Sequence, residues 1–386
     1  MTRAWSELVD DAVTLRHALH RQPELTWSEH QTAGTLRARL DAAGISWRTC
    51  AELGTVATLA PDAPGRHVGL RADMDAMPVQ EATGADYASR TPGVMHACGH
   101  DGHMATLMAA TWWLHQHEAD LPGPVSLLFQ PAEEGGHGAR AMIDDGALAG
   151  IDVIFGWHNW PAIPYGSAVC PDGTVMAGNG TFVIEVRGAG GHASQPEATR
   201  DPVLAASAIT VALQQLVARR VAPQHATVVA VTSIDARSSS PTTTPDTATL
   251  EGSIRIADGT QRDDVFSRIA DIASATATAH GVEVEVTPVP RYGPTVNHPG
   301  PAAEMRVVLE KRLGPDWHGG DTLVPIMASE DFSYYLDEIP GAFALVGADD
   351  DRGHDVPCHS ARYDFNDRLI DPVAGVLSQL AGAPPH

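Results

Sequence analysis

Basic side chains are scarce in this sequence. Lys and Arg total 25 against 48 Asp and Glu, which leaves a formal net charge of −23 over 386 residues. A chain so acidic repels phosphate backbones and anionic membrane surfaces, so neither nucleic acid nor membrane is an expected partner. Cysteine is sparse as well. Cys50, Cys98, Cys170 and Cys358 stand far apart with no CxxC pair, which excludes a disulfide scaffold in a chain this long. The first residues, Met-Thr-Arg-Ala-Trp-Ser-Glu, lack an apolar signal region, and no run approaches the length of a membrane span. The expected location is therefore the cytoplasm. Internal repeats and long low-complexity segments are also missing. What the chain does have is 43% apolar residues, enough for large cores and for two domains of ordinary size.

Periodicity predicts an α/β organisation. Residues 5 to 20 carry an amphipathic helical pattern, and Ser28 opens a second one that stops at Gly44. Short β-like runs follow at 55 to 59 and 67 to 70. The second delivers Asp73 and Asp75, a carboxylate pair at strand spacing. A helix then runs from the Cys98 loop to about His117. Residues 125 to 130 and 151 to 156 read as strands buried on both faces. Alternating strands and helices predict a mainly parallel sheet with its polar clusters beyond the strand ends. The texture changes near Gly178. From there a β-α-β-β-α-β order, that of a ferredoxin-like module, occupies residues 179 to 290 as an insertion. Residues 1–178 and 291–386 then form the other domain. The Ser/Thr/Pro-rich stretch at 238 to 246 reads as a loop.

Chemistry concentrates in Met95-His96-Ala97-Cys98-Gly99-His100-Asp101-Gly102-His103-Met104. A thiol and imidazoles at this spacing suit a borderline-soft divalent metal. Glu133 and Glu134 follow a buried strand. Adjacent side chains there point in opposite directions, so one carboxylate would ligate a metal while the other acts as general base. The bland alternative is an exposed acidic turn. His158 follows the next strand, with Trp157, Asn159 and Trp160 as pocket-wall candidates. Taken alone, His359 reads as a surface histidine. His192 lies in a glycine-rich segment. Arg255 is a cation in an apolar strand, which is costly unless it is paired with an internal or an incoming carboxylate. Glu330 and Asp331 read as capping carboxylates of a short helix. The remaining histidines, His17 and His20 among them, read mostly as solvated.

These clusters, in this order, resemble the metal-dependent aminoacylase and hippurate hydrolase family, which includes N-acyl-amino-acid amidohydrolases and auxin-conjugate hydrolases. The matching pieces span nearly the whole chain: Leu19-His20-Arg21-Gln22-Pro23-Glu24, Arg71-Ala72-Asp73-Met74-Asp75, the Cys98 stretch, Phe129-Gln130-Pro131-Ala132-Glu133-Glu134-Gly135, Trp157-His158-Asn159, Gly191-His192-Ala193-Ser194, Glu330-Asp331-Phe332 and His359-Ser360. The resemblance implies a zinc-exopeptidase-like catalytic domain with an inserted lid and dimerisation domain. It implies two divalent ions (zinc, manganese, nickel or cobalt) held by Cys98, His100, Glu134, His158 and His359, with Cys98 as the bridging thiolate. Glu133 becomes the general base, and Asp75 a supporting carboxylate. His192 becomes an oxyanion donor, often supplied by the partner subunit. Arg255 and Asn297 match positions that meet substrate. The implied activity is hydrolysis of the amide of an N-acyl amino acid by a homodimer or a larger tetramer. Trp157, Cys358 and Ala361 depart from the family pattern, where Leu and Pro are usual at the last two.

Three rival readings stay open at this point. One is a dipeptidase or carboxypeptidase with the same site, and another is a deacetylase of an acetylated diamino acid. The third, from another class, is a non-catalytic metal- or ligand-binding protein.

Overall fold

The computed structural model describes residues 3–319, 322 and 324–386. The chain divides into two compact units. The first comprises 1–175, 296–324 and 331–386, and the second comprises 176–295 with 325–330.

The first unit is built on a seven-stranded sheet. Its order is Trp47–Cys50, Gly54–Leu59, Val125–Gln130, Val68–Asp73, Val153–Pro164, Gly341–Asp349 and Ala168–Val169. The four central strands are parallel and the three outer pairings antiparallel. Helix His100–Gln116 packs on this sheet and against helices Trp5–His20 and Ile370–Leu380. Nearly all its residues are buried, so it lacks an amphipathic stripe, as a helix enclosed on all sides must. Gly99 precedes it with φ of 89°. A Cβ there would meet the Tyr363 hydroxyl and the Asn159 amide, so glycine is required for both reasons.

That helix enters the core with charge attached. Asp101, fully buried, accepts from Arg16 Nε at 2.9 Å and pairs with His20 Nδ1 at 2.8 Å. Arg16 also reaches Asp364 at 2.6 Å and Asp367 at 3.3 Å. His20 is thus not solvated, as its sequence context suggests, but 1% exposed. The signal was out of reach because its partners Asp101 and Glu81 lie far along the chain.

Two further expectations are corrected. Helix two begins at His30, not Ser28, with Glu29 at its N-cap position. The strand expected to stop at Gly156 continues to Pro164, because Gly341–Asp349 pairs along it with Leu345 opposite His158.

The second unit has four antiparallel strands in the order Thr227–Asp235, Thr247–Ile256, Gly178–Arg187, Glu283–Pro290. Helices Pro202–Arg220 and Arg262–His280 pack together and complete a β-α-β-β-α-β sequence. Phe182, Ile184 and Val186 face the core, while Glu185 and Arg187 face out, as strand alternation demands. Bonds from Asn179 to Tyr292 and Ser329, and from Ala177 to Ile326, draw residues beyond 290 into the unit. Contrary to expectation, one helix does reach membrane-span length and composition: Pro202–Arg220 has 19 residues and a mean hydropathy of 1.3. Here Ala205, Ile209, Leu213 and Leu216 are buried in the unit's own core.

The His20 environment makes stability depend on pH. Burial disfavours its charged form, but Asp101 and Glu81 outweigh this and raise its pKa from 6.5 to about 9. The imidazolium is therefore favoured in the folded state. Its stabilising contribution is complete below pH 6.5 and is lost as pH rises through about 9. Urea unfolding between these values should show wild-type stability falling with pH, and His20→Gln should flatten that slope. Parallel slopes for the two proteins would remove His20 as the cause.

Candidate metal centre

The donor side chains come from four places in the first unit. Cys98 and His100 flank the start of a helix, and Glu133 and Glu134 follow a strand. His158 sits within a strand, and His359 lies in a loop. Three groups form, each with ligand atoms within 4.8 Å of one another: Cys98 with His100 and His158, Cys98 with Glu134 and His359, and His100 with Glu133 and Glu134. Cys98, His100 and Glu134 each belong to two of them, so the three groups adjoin, and Cys98 is the sulfur donor among the shared residues.

Each imidazole is oriented by a second contact. His158 Nδ1 donates to the Asn159 carbonyl at 2.6 Å, so Nε2 is the lone-pair nitrogen, and it stands 3.3 Å from Cys98 Sγ. Burial holds His158 well below the usual histidine range, in the neutral form a metal requires. His100 Nδ1 lies 3.3 Å from Asp75 Oδ1. Burial opposes its charge, but Asp73 and Asp75 raise the His100 pKa to about 10 in the metal-free protein, so a metal bound here would displace that proton. His359 has φ of 68°, in the left-handed region uncommon for residues other than glycine, and is held there by its N–H on the Ala97 carbonyl at 2.7 Å. Its Nε2 lies 3.2 Å from Glu134 Oε1.

The donor set fits a divalent metal. Buried His100 Nε2 and Glu134 Oε1 make no hydrogen bond, although charged neighbours surround them. Such atoms are rare in folded proteins and call for an ion or a water. Thiolate, imidazole and carboxylate together suit zinc and its first-row neighbours.

Asp75 organises the site from beneath. Oδ1 accepts the Glu133 N–H at 3.0 Å, while Oδ2 accepts the Glu134 N–H at 2.9 Å and the Thr26 hydroxyl at 2.7 Å. Burial would raise its pKa, but His100 and these donors lower it overall, so it is charged. Strand alternation does not separate the two glutamates. The strand ends at Gln130, and Ala132 takes φ of 58°, which brings both carboxylates toward His100. Glu29 accepts the Ala132 N–H at 2.8 Å and thereby holds that conformation. Burial, followed by the Asp75 charge, raises its pKa to about 7. Sequence reading missed Glu29 and Thr26. Their only local signal is polarity near the start of a helix.

Other expected residues are part of the packing rather than of the donor groups. His103 bonds Asp73 and Asn159, each at 2.7 Å, through its two nitrogens. Burial lowers the His96 pKa to about 4, and it stays neutral. Trp157 is core, edge-on to His103, and Asn159 is fully buried, so neither is a pocket wall. Asp331 does not simply cap a helix: it accepts from Arg71 at 3.0 Å and from Gln130 and the Ala139 N–H. Asn297 clips a strand, accepting from Phe343 N at 2.7 Å and donating to Phe343 O at 2.9 Å and Pro171 O at 3.0 Å, which commits its amide to backbone.

In the second unit, His192 is exposed on a short ladder opposite Thr243, within the stretch expected to be plain loop. Its Nδ1 accepts the Ser194 N–H at 3.2 Å, which leaves the ring proton on Nε2. Arg255 is half-buried and bonds Ser329 Oγ at 3.0 Å. Among the described residues it has no carboxylate within ion-pair distance.

Asp75→Asn should lower zinc affinity by roughly 10–100-fold while far-UV circular dichroism stays unchanged, as measured by chelator competition. Unaltered affinity would mean that Asp75 does not set the donors.

Comparison with known proteins agrees with this geometry. Residues 69–382 match peptidase family M20/M25/M40. IAA-amino acid hydrolase ILR1-like 2 of Arabidopsis thaliana is 37% identical over 380 residues, covering 97% of this chain and 85% of that protein. The hippurate hydrolase of Campylobacter jejuni is 35% identical over 370 residues, covering 95% and 94%. The crystal structure of Bacillus subtilis YXEP protein, a dinuclear metal-binding peptidase of the M20 family, superposes with a TM-score of 0.83 at 28% identity, covering 97% and 98%. The chain belongs to peptidase family M20/M25/M40.

Proposed function

We propose that this hydrolase of amide bonds cleaves N-acyl amino acids to a carboxylate and a free amino acid, using a two-metal site. One observation carries the reading: three groups of ligand atoms adjoin through shared Cys98, His100 and Glu134. The names of the IAA-amino acid hydrolase and hippurate hydrolase relatives support the substrate class. The ligands are Cys98, His100, Glu134, His158 and His359. When bound, two divalent ions supply Lewis acidity toward the amide carbonyl and toward water.

The chain's own groups do the rest. Glu133, buried and beside His100 and Glu134, takes the proton of the attacking water and passes it to the leaving amine. His192, with its proton on Nε2, donates to the developing oxyanion. Arg255, a half-buried cation with only a hydroxyl partner, receives the substrate carboxylate. The reading places the enzyme in the cytoplasm, with its four free cysteines as support.

The deciding experiment is a panel of acetyl- and benzoyl-amino acids beside dipeptides, assayed on stripped protein reloaded with zinc, manganese, nickel or cobalt. Turnover confined to the N-acyl compounds is expected, and turnover confined to dipeptides would replace the reading with a dipeptidase. Glu133→Gln should lower kcat by about 10²–10⁴-fold with metal content unchanged. Substantial residual turnover would reassign the base.

The reading includes a homodimer. Leu204 and Val211 are 57% and 72% exposed on the Pro202–Arg220 helix, and the edge strand Thr227–Asp235 exposes Val228 and Ile234. Mixed His192→Ala and Glu133→Gln chains should regain activity, and Val211→Glu in both should abolish the rescue and give a monomer by light scattering. Rescue from monomers would refute a role across subunits.

A further inference from the structure

The four cysteines are free thiols, and they are not equivalent. Cys50 contacts the Met142 and Asp145 carbonyls, and Cys170 contacts the Ala302 carbonyl. Cys98 and Cys358, distant in sequence, lie on two segments that the fold brings side by side. The backbone next to each is locked: the His359 N–H bonds the Ala97 carbonyl at 2.7 Å. Each cysteine is one residue from that bond. The Asn159 amide reaches Cys358 Sγ at 4.0 Å from the other side. Cys98 is 8% exposed, whereas Cys358 is half-buried and accessible. An oxidant therefore meets Cys358 first, with a second thiol on the segment bonded to its own. That arrangement of an accessible and a resolving cysteine is what reversible thiol oxidation needs.

We propose that hydrogen peroxide converts Cys98 and Cys358 of the metal-free protein into a disulfide that removes Cys98 from the donor set. Cys358-SH reduces peroxide to water and becomes the sulfenic acid. The Cys98 sulfur then attacks the Cys358 sulfur, and the hydroxyl leaves as a second water with the Cys98 proton. Two thiols are oxidised and one peroxide is reduced, so the step balances. A disulfide sulfur is a poor metal donor compared with a thiolate. Ion binding and the link therefore compete for Cys98, and a loaded site protects the pair. The consequence for metal rests on the reading of Cys98 as a ligand, whereas the bond itself does not.

The test treats full-length protein with peroxide, either stripped of metal or loaded with zinc, and analyses a non-reducing digest by mass spectrometry. In stripped protein a linked peptide joining Cys98 to Cys358 is expected, lighter by two hydrogens and reversed by dithiothreitol. Zinc uptake should fall in proportion to the linked fraction. Zinc-loaded protein should link far more slowly. Cys358→Leu and Cys358→Ser should show no link and keep zinc uptake after peroxide. Oxidation of Cys358 to the sulfinic acid without a link would overturn the proposal, as would equal loss of zinc uptake in wild type and Cys358→Leu. Untreated protein that takes up no zinc would refute the metal reading alone, because the link is read by mass.

Discussion

A buried carboxylate must be hydrogen-bonded on every side or it destabilises the fold. In this chain that requirement, applied to Asp75, builds the metal centre. Its oxygens take two successive loop amides, a threonine hydroxyl and the flank of an imidazole. Glu29 takes the amide just before them. Three consecutive N–H groups are thus held by two acids. The loop that carries both glutamates has no freedom to return to strand alternation. One group therefore sets the direction of both glutamates and faces the His100 imidazole.

Around this lies a layer of arginines ringed by carboxylates. Arg71 is surrounded by Asp73, Gln130 and Asp331, and Arg16 by Asp101, Asp364 and Asp367. Removing one partner from such a pair strands the other and costs roughly 3–5 kcal/mol, so these pairs act as fixed geometry. The first turn of one helix connects the layers. His100 faces Asp75, Asp101 faces Arg16, and His103 faces Asp73. Three side chains pointing three ways leave the helix one rotation about its axis.

What could be read along the chain was periodicity and short-range spacing. The Trp5–His20 helix, the alternation through Phe182, Ile184 and Val186, and the thiol and imidazole at 98 and 100 are all local patterns. The resemblance added the ligand list but not its support. His20, Glu29 and Asp331 do their work through partners dozens to hundreds of residues away. A polar residue near a helix start looks the same whether it meets water or a buried amide. The length of the His158 strand was hidden for a similar reason, since its extra residues are paired by a strand almost two hundred positions later. The thiol neighbour of Cys98 escaped notice because no spacing rule links positions 98 and 358.

The sheet also carries a timetable. Its strand Val153–Pro164 finds its parallel neighbour Gly341–Asp349 only after the whole of 176–295 has been made. The inserted unit is nearly continuous in sequence, and its strands pair among themselves. During synthesis it is free to fold while the first unit still waits with an open sheet edge. His359 leaves the ribosome later still. Of the proposed donors, Cys98, His100, Glu134 and His158 therefore wait through about half of translation for the last, and all five stand together only once both ends of the first unit have met.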